Sequence, residues 1–195
     1  MPPFIALTGG IGAGKSTALA AFERLGARTI SSDEVVHALL MTPDLSAAVV
    51  GRFGAGVAPG GVVDRGALAA LVFANDAQRE WLEKLLWPRV KARVAAWRQE
   101  RLSDGERARA LVVEVPLLFE AGGEDLYDAT VAVVADESVR ARRAGARGHR
   151  AIAEREARQL SQADKAARAT FVVVNDGTVE DLQRRLAELL AKLGA

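Results

Sequence analysis

Five short runs of consecutive or β-branched apolar residues punctuate the chain, near Phe4–Thr8, Arg28–Ser31, Ala110–Val115, Ala129–Ala135 and Thr170–Val174. Each has the length and composition of a strand. Leu111-Val112-Val113 and Val131-Ala132-Val133-Val134 are apolar at every position rather than at alternate ones, as in strands covered on both faces. Between the runs the apolar spacing becomes helical, first over Ala18–Leu25. Strands alternating with helices predict an α/β fold: a five-stranded parallel sheet between two helical layers.

Two intervals are too long for a simple crossover. Residues 32–109 carry helical patterns over Asp33–Leu40, Leu45–Phe53, Arg65–Ala74 and from Asn75 or Asp76 to Leu86. Asp64 is placed to cap the third of these, and glycines 51, 54, 56, 60 and 61 to form a loop before it. Pro88 is expected to end the fourth helix, with another running to about Leu102. This stretch reads as a helical substrate-binding insertion. The second interval, 136–168, is rich in arginine and reads as a separate helical element.

Composition narrows the field without choosing a function. Half of the 195 residues are apolar, enough for a real core, and the net charge of +1 gives no global pull toward nucleic acid or a membrane surface. The absence of cysteine excludes disulfides, thiolate chemistry and cysteine-ligated zinc, and two histidines argue against a histidine metal site. No apolar run has the length of a membrane span and the N-terminus has no secretion signal, so a cytoplasmic protein is expected. The 21 arginines against 5 lysines are read as genome composition.

The strongest chemical signal is Gly9-Gly10-Ile11-Gly12-Ala13-Gly14-Lys15-Ser16, followed by Thr17. It fits G-x-x-x-x-G-K-[ST] and stands between a strand and a helix, the context that a phosphate-binding P-loop requires. Glycines let successive amides turn inward around a phosphate, and the helix N-terminus adds positive potential. Lys15 is placed to reach the β- and γ-phosphates, and the Ser16 hydroxyl to ligate Mg²⁺.

Further candidates gather around that loop. Asp33 follows the second strand, where open α/β sheets place ligands; it could accept the proton of an attacking hydroxyl, or cap the helix over Val35–Leu40, and the two roles are compatible. Arg140, Arg143 and Arg147 share one helical face and could clamp phosphates. The plainer alternative is a solvated basic face. RNA binding is disfavoured because the segment has no aromatic residue to stack bases. Glu114, inside a strand, needs a cation: Mg²⁺ through water, or Lys15 or an arginine. Pro116-Leu117-Leu118-Phe119-Glu120 carries an apolar turn to a carboxylate at the sheet edge. Trp81, Trp87 and Trp97 are spaced as helix packing residues, and His37 and His149 are unremarkable.

Together these pieces resemble the dephospho-CoA kinase family. The resemblance runs in order through Thr8–Thr17, Asp33, Phe53-Gly54, Arg65 with Leu68, Val72-Phe73, Leu82-Glu83, Pro88, Val115–Glu120, Arg143 and Arg147, Gln159, Lys165 and Asn175-Asp176-Gly177. The Pro-Leu-Leu-Phe-Glu stretch is its most specific part.

It implies a P-loop NTPase, nucleoside-monophosphate-kinase-like core (1–31, 110–135 and 169–195), a helical CoA-binding subdomain (32–109) and a lid (136–168). The implied reaction is transfer of the ATP γ-phosphoryl group, with Mg²⁺, to the ribose 3′-hydroxyl of dephospho-CoA. On that reading Asp33 is the base and Gly10, Ile11, Gly12, Ala13, Gly14, Lys15, Ser16 and Thr17 hold phosphates. Arg140, Arg143 and Arg147 form the clamp, and Asn175 and Gly177 border the adenine. Thr8, Arg65, Pro116, Leu117 and Leu118 lie by the acceptor. Ser31 stands where relatives often carry an acid, Trp87 where a histidine precedes the proline, and Arg140 where glutamine is common; none of these removes a group the mechanism requires. The resemblance implies a monomer or small homo-oligomer that binds neither nucleic acid nor membrane. The rival readings are another P-loop small-molecule or nucleoside monophosphate kinase and a nucleotide switch; the guanine-reading Asn-Lys-x-Asp segment is absent.

Overall fold

The computed structural model of the chain describes residues 1–73, 75–104, 108–145 and 159–195. Five strands form one parallel sheet: β1 (Phe4–Gly9), β2 (Arg28–Ser31), β3 (Leu111–Glu114), β4 (Ala129–Val134) and β5 (Phe171–Val174), in the order β2-β3-β1-β4-β5. The register pairs Leu7 with Glu114 and Val131, and Ser31 with Glu114. The C-terminal ends of β1, β2 and β3 therefore meet at one edge.

The pleat of β1 shows why the middle of the sheet is apolar throughout. Ile5 and Leu7 face a cluster with Phe22, Leu182, Leu186 and Leu190, contributed by α1 (Lys15–Arg24) and α8 (Val179–Lys192). Ala6 faces the other way, onto Leu118, Phe119, Tyr127 and Leu160. All six β1 residues are buried, so alternation has no polar side to display. The three-layer architecture expected from the strand pattern is present, with strand ends shifted by a residue or so.

Residues 1–31 with 98–195 form one compact unit, and 32–97 a second. The second contains α2 (Ser32–Leu40), α3 (Pro43–Phe53), a 3-10 turn at Ala55–Val57, α4 (Arg65–Phe73) and most of α5 (Asp76–Ser103). Its core gathers Leu40, Leu45, Val49, Val57, Val63, Leu68, Val72 and Leu86. Asp64 accepts from the Ala67 amide at 2.7 Å and Asn75 from the Gln78 amide at 3.1 Å, capping α4 and α5 as the sequence suggests. Trp81 packs edge-on against Phe53, Trp97 is buried and Trp87 is half-exposed.

Two expectations fail here. Gly51 belongs to α3 rather than to the glycine loop. More substantially, Pro88 does not end a helix: α5 runs unbroken for 28 residues with Pro88 inside it. Proline deletes one backbone donor and crowds one carbonyl, a cost that a long helix with packed residues on either side can absorb. Leu86 on one side of Pro88, and Val94 and Trp97 on the other, are buried, and the Arg89 guanidinium donates to the Leu85 carbonyl at 2.8 Å.

In the first unit, α6 (Glu137–Gly145) and α7 (Gln162–Arg168) flank residues 146–158, which lie outside the described residues together with Arg147 and His149. Among the described residues no single helix is long and apolar enough to cross a membrane.

Candidate active site

The glycine loop leaves β1 at Gly9 and enters α1 at Lys15, as the motif requires. Its glycines are set by close approach. Gly12, at φ 77°, would place a Cβ 2.7 Å from the Arg140 carbonyl oxygen, and Gly14, at φ 94°, would place one 2.1 Å from Asn175 Nδ2. A side chain at either position meets both a left-handed backbone and an occupied space.

The start of α1 contrasts with several other helix starts; α3 also lacks a side-chain cap hydrogen bond, but it carries Asp44 in its first turn. Asp64, Asn75, Ser161 and Thr178 cap α4, α5, α7 and α8 through side chains, the last with a reciprocal Thr178–Asp181 capping box. No side chain caps α1, and its first turn holds no acid. Its leading amides and positive end are thus left to an external anion. Ser16 and Thr17 occupy that first turn, with Ser16 exposed. The Lys15 ammonium donates to the Gly9 and Gly10 carbonyls at 3.0 and 3.1 Å, lying back over the loop.

Two of the three clamp arginines reach this loop. Asp136 accepts from the Ser138 hydroxyl and amide, at 2.5 and 2.9 Å, and these two bonds hold its carboxyl below the usual carboxylate range. That anchors the start of α6. One turn later Arg140 donates from Nε to the Ile11 carbonyl at 2.9 Å, and its guanidinium lies beside Gly10. Arg143 donates from Nη1 to the Asn175 carbonyl at 3.1 Å and passes 3.6 Å from the Cβ position of Gly14. The i, i+3 spacing puts both on the loop side of α6, while Arg142 is exposed.

Asn175 is buried and serves the loop directly: its Nδ2 donates to the Ala13 carbonyl at 2.8 Å, and its own amide continues the sheet to Val134. Gly177 sits in the turn before α8, pressed against the Asp181 carboxylate. Asp33 is the second residue of α2 and exposed, two residues beyond the end of β2. It is inside the first helical turn rather than before it. Arg65 opens α4 in the second unit.

Sequence reasoning placed Thr8 and the Pro116–Leu118 turn by the acceptor but assigned no role to Lys165, which ties them together. Thr8 is buried at the end of β1, and its hydroxyl donates to the Pro116 carbonyl at 3.3 Å. The same carbonyl accepts from Lys165 Nζ at 2.6 Å. Lys165 is fully buried and pairs with Glu120 Oε1 at 2.9 Å, which also accepts from the Leu160 amide at 2.8 Å. Leu118 and Phe119 are buried beside this group, and Leu117 is turned outward. A lysine inside Gln162-Ala163-Asp164-Lys165-Ala166 carries no local sign of burial; its match to the family pattern was the available signal.

Known proteins resemble this chain over nearly its whole length. The family model described as dephospho-CoA kinase matches residues 3–181. A protein of Protochlamydia amoebophila named dephospho-CoA kinase is 36% identical over 193 residues, covering 97% of this chain and 95% of the relative. A crystal structure from Thermus thermophilus superposes with a TM-score of 0.80 at 34% identity, covering 98% of each chain. A dephospho-CoA kinase structure from Campylobacter jejuni, 24% identical, covers 99% of this chain and 98% of its own with a TM-score of 0.71, a likeness of fold.

Proposed function

The chain belongs to the dephospho-CoA kinase family, and from that premise we propose how its residues carry the γ-phosphoryl group of ATP to the ribose 3′-hydroxyl of dephospho-CoA, giving CoA and ADP. The observation that carries the reading is the convergence of Lys15, Arg140 and Arg143 on one glycine loop at the C-terminal edge of the sheet. Charge at that spot stabilises a transferring phosphoryl group, whose negative charge spreads over its equatorial oxygens.

The amides of Gly10 to Thr17 cradle the β- and γ-phosphates. When phosphate arrives, Lys15 exchanges two neutral carbonyls for a charged partner, a stronger hydrogen bond. Arg140 and Arg143 stabilise the charge that develops between attacking and leaving oxygens. Asn175 keeps the loop open through Ala13, and the Asn175–Gly177 turn borders the adenine. Asp33 accepts the proton as the 3′-oxygen bonds to phosphorus and the bond to the ADP oxygen breaks. Thr8 and the Pro116–Leu118 turn border the acceptor.

Mg²⁺ fits this donor set as a metal carried in with the nucleotide. Among the described residues there is no group of three or more His, Cys, Asp or Glu able to hold a metal alone, and Mg²⁺ in kinases is bound by few protein oxygens together with substrate phosphates. The Ser16 hydroxyl, at the head of α1, is the oxygen that would hold it. When bound it neutralises phosphate charge.

The test is ADP release from ATP·Mg²⁺ with dephospho-CoA, without it, and with its 3′-deoxy analogue. Release that needs the acceptor and its 3′-hydroxyl is expected. Release indifferent to the acceptor would sink the assignment and send the search to other hydroxylated metabolites. Arg143→Ala should lower turnover more than it weakens binding of adenosine, which lacks the phosphates Arg143 holds; equal losses would mark a folding defect instead.

A further inference from the structure

Lys165 is a charged side chain with no exposed surface, in the second turn of a short helix, and the chemistry proposed above gives it nothing to do. Burying an ammonium is expensive unless it is paired and hydrogen-bonded. Here it is both, and its partners lie together in the chain. Nζ donates to the Pro116 carbonyl and to Glu120, the two ends of the Pro116–Glu120 turn. The outward residue of that turn is Leu117, while Leu118 and Phe119 are fixed in the apolar layer against Ala6.

The Pro116 carbonyl is also the acceptor for Thr8, the residue immediately before the phosphate loop. One oxygen therefore ties three elements: the end of β1, the turn after β3, and α7. Lys165 provides the shorter of its two bonds, 2.6 Å against 3.3 Å from Thr8. The nucleotide side of the loop is held from elsewhere, by Asn175 on Ala13 and Arg140 on Ile11.

We propose that Lys165 is a positioning residue for the acceptor: by holding the Pro116 carbonyl and Glu120 together it fixes the Pro116–Leu117 peptide against Thr8, and so sets where the acceptor lies relative to the phosphate loop. The inference rests on the reading that the Pro116–Leu118 turn borders the acceptor. It separates two properties that a simple packing role would leave coupled. Losing Lys165 should damage acceptor use and leave ATP binding nearly intact.

Three variants test it: Lys165→Met, Glu120→Gln and the two combined. Lys165→Met should raise KM for dephospho-CoA about tenfold or more, the scale of a lost charged hydrogen bond, and lower kcat, with ATP affinity changed less than about twofold. It also strands the Glu120 carboxylate, whose Oε2 is already buried with no hydrogen-bond partner among the described residues, so its melting temperature should drop. Removing both charges cures that defect but not the missing donor to Pro116. The double variant should therefore regain most of the melting temperature while its acceptor KM stays high. Recovery of KM together with melting temperature, or an equal loss of ATP affinity, would reduce Lys165 to a structural ion pair and overturn the proposal. A wild-type chain that cannot phosphorylate dephospho-CoA at all would overturn the functional reading and this inference with it.

Discussion

A single methyl group at Gly12 probes how tightly the phosphate loop is built. It would meet the Arg140 carbonyl oxygen at 2.7 Å on a backbone at φ 77°. Gly12→Ala is expected to cost on the order of 1–3 kcal/mol of stability and to weaken ATP binding, read by denaturant unfolding and a binding titration. Asp33→Asn tests the opposite kind of residue, exposed and unencumbered by packing. Turnover should fall by about 10²–10⁴, the range for a lost general base, while ATP affinity stays; near-normal turnover would leave Asp33 only its place at a helix start. The glycines, Lys15 and Asp33 were legible because their spacing is local to a strand, a loop and a helix. Lys165 and Asn175 were not assigned their present roles, because a buried lysine pair and an amide holding the Ala13 carbonyl join residues far apart in the chain.

Among the elements, α5 departs furthest from local rules. Proline within a helix lacks the N–H that its fourth-preceding carbonyl expects, and Pro88 is exposed, so a replacement disturbs little packing. Pro88→Ala should stabilise the chain by about 1–3 kcal/mol, visible as a rise in melting temperature; an unchanged or lower value would show that Pro88 costs the helix nothing. At α8 the sign reverses. Thr178→Ala removes half of a capping box and should cost about 1 kcal/mol. The strands were readable to within a residue or so; for β1, β3 and β4 the reason is that burial on both faces leaves nearly continuous apolar runs. The break expected at Pro88 does not occur, because a local rule about donors is outweighed by buried apolar residues on both sides of it.

For the molecule as a whole, stability responds to pH at both ends. Burial pushes the Tyr127 phenol, stacked on Phe4, up to about 12 from 10.0. The folded state then keeps a proton that the unfolded chain releases, so stability is intact below pH 10 and declines as pH rises to about 12. The loss should reach at most about 1.4 kcal/mol per pH unit, and Tyr127→Phe should remove that component of an alkaline unfolding series. Asp136 and Asp181 behave oppositely. Hydrogen bonds from Ser138 and from Thr178 with Arg184 hold their carboxyls below 3.8, so what they contribute is lost as acid takes the pH beneath that value. The uncapped start of α1 has a thermodynamic reach beyond catalysis. A helix whose end is completed by substrate phosphate transfers part of its folding equilibrium to the nucleotide pool. A ligand at about a hundred times its Kd adds about 2.7 kcal/mol to the native state, which for a chain of this size is a rise of roughly 5–10 °C in melting temperature. The protein should thus survive heat, and proteases acting on its opened form, in proportion to the ATP around it, and be cleared fastest in the starved conditions where its product is least affordable to make.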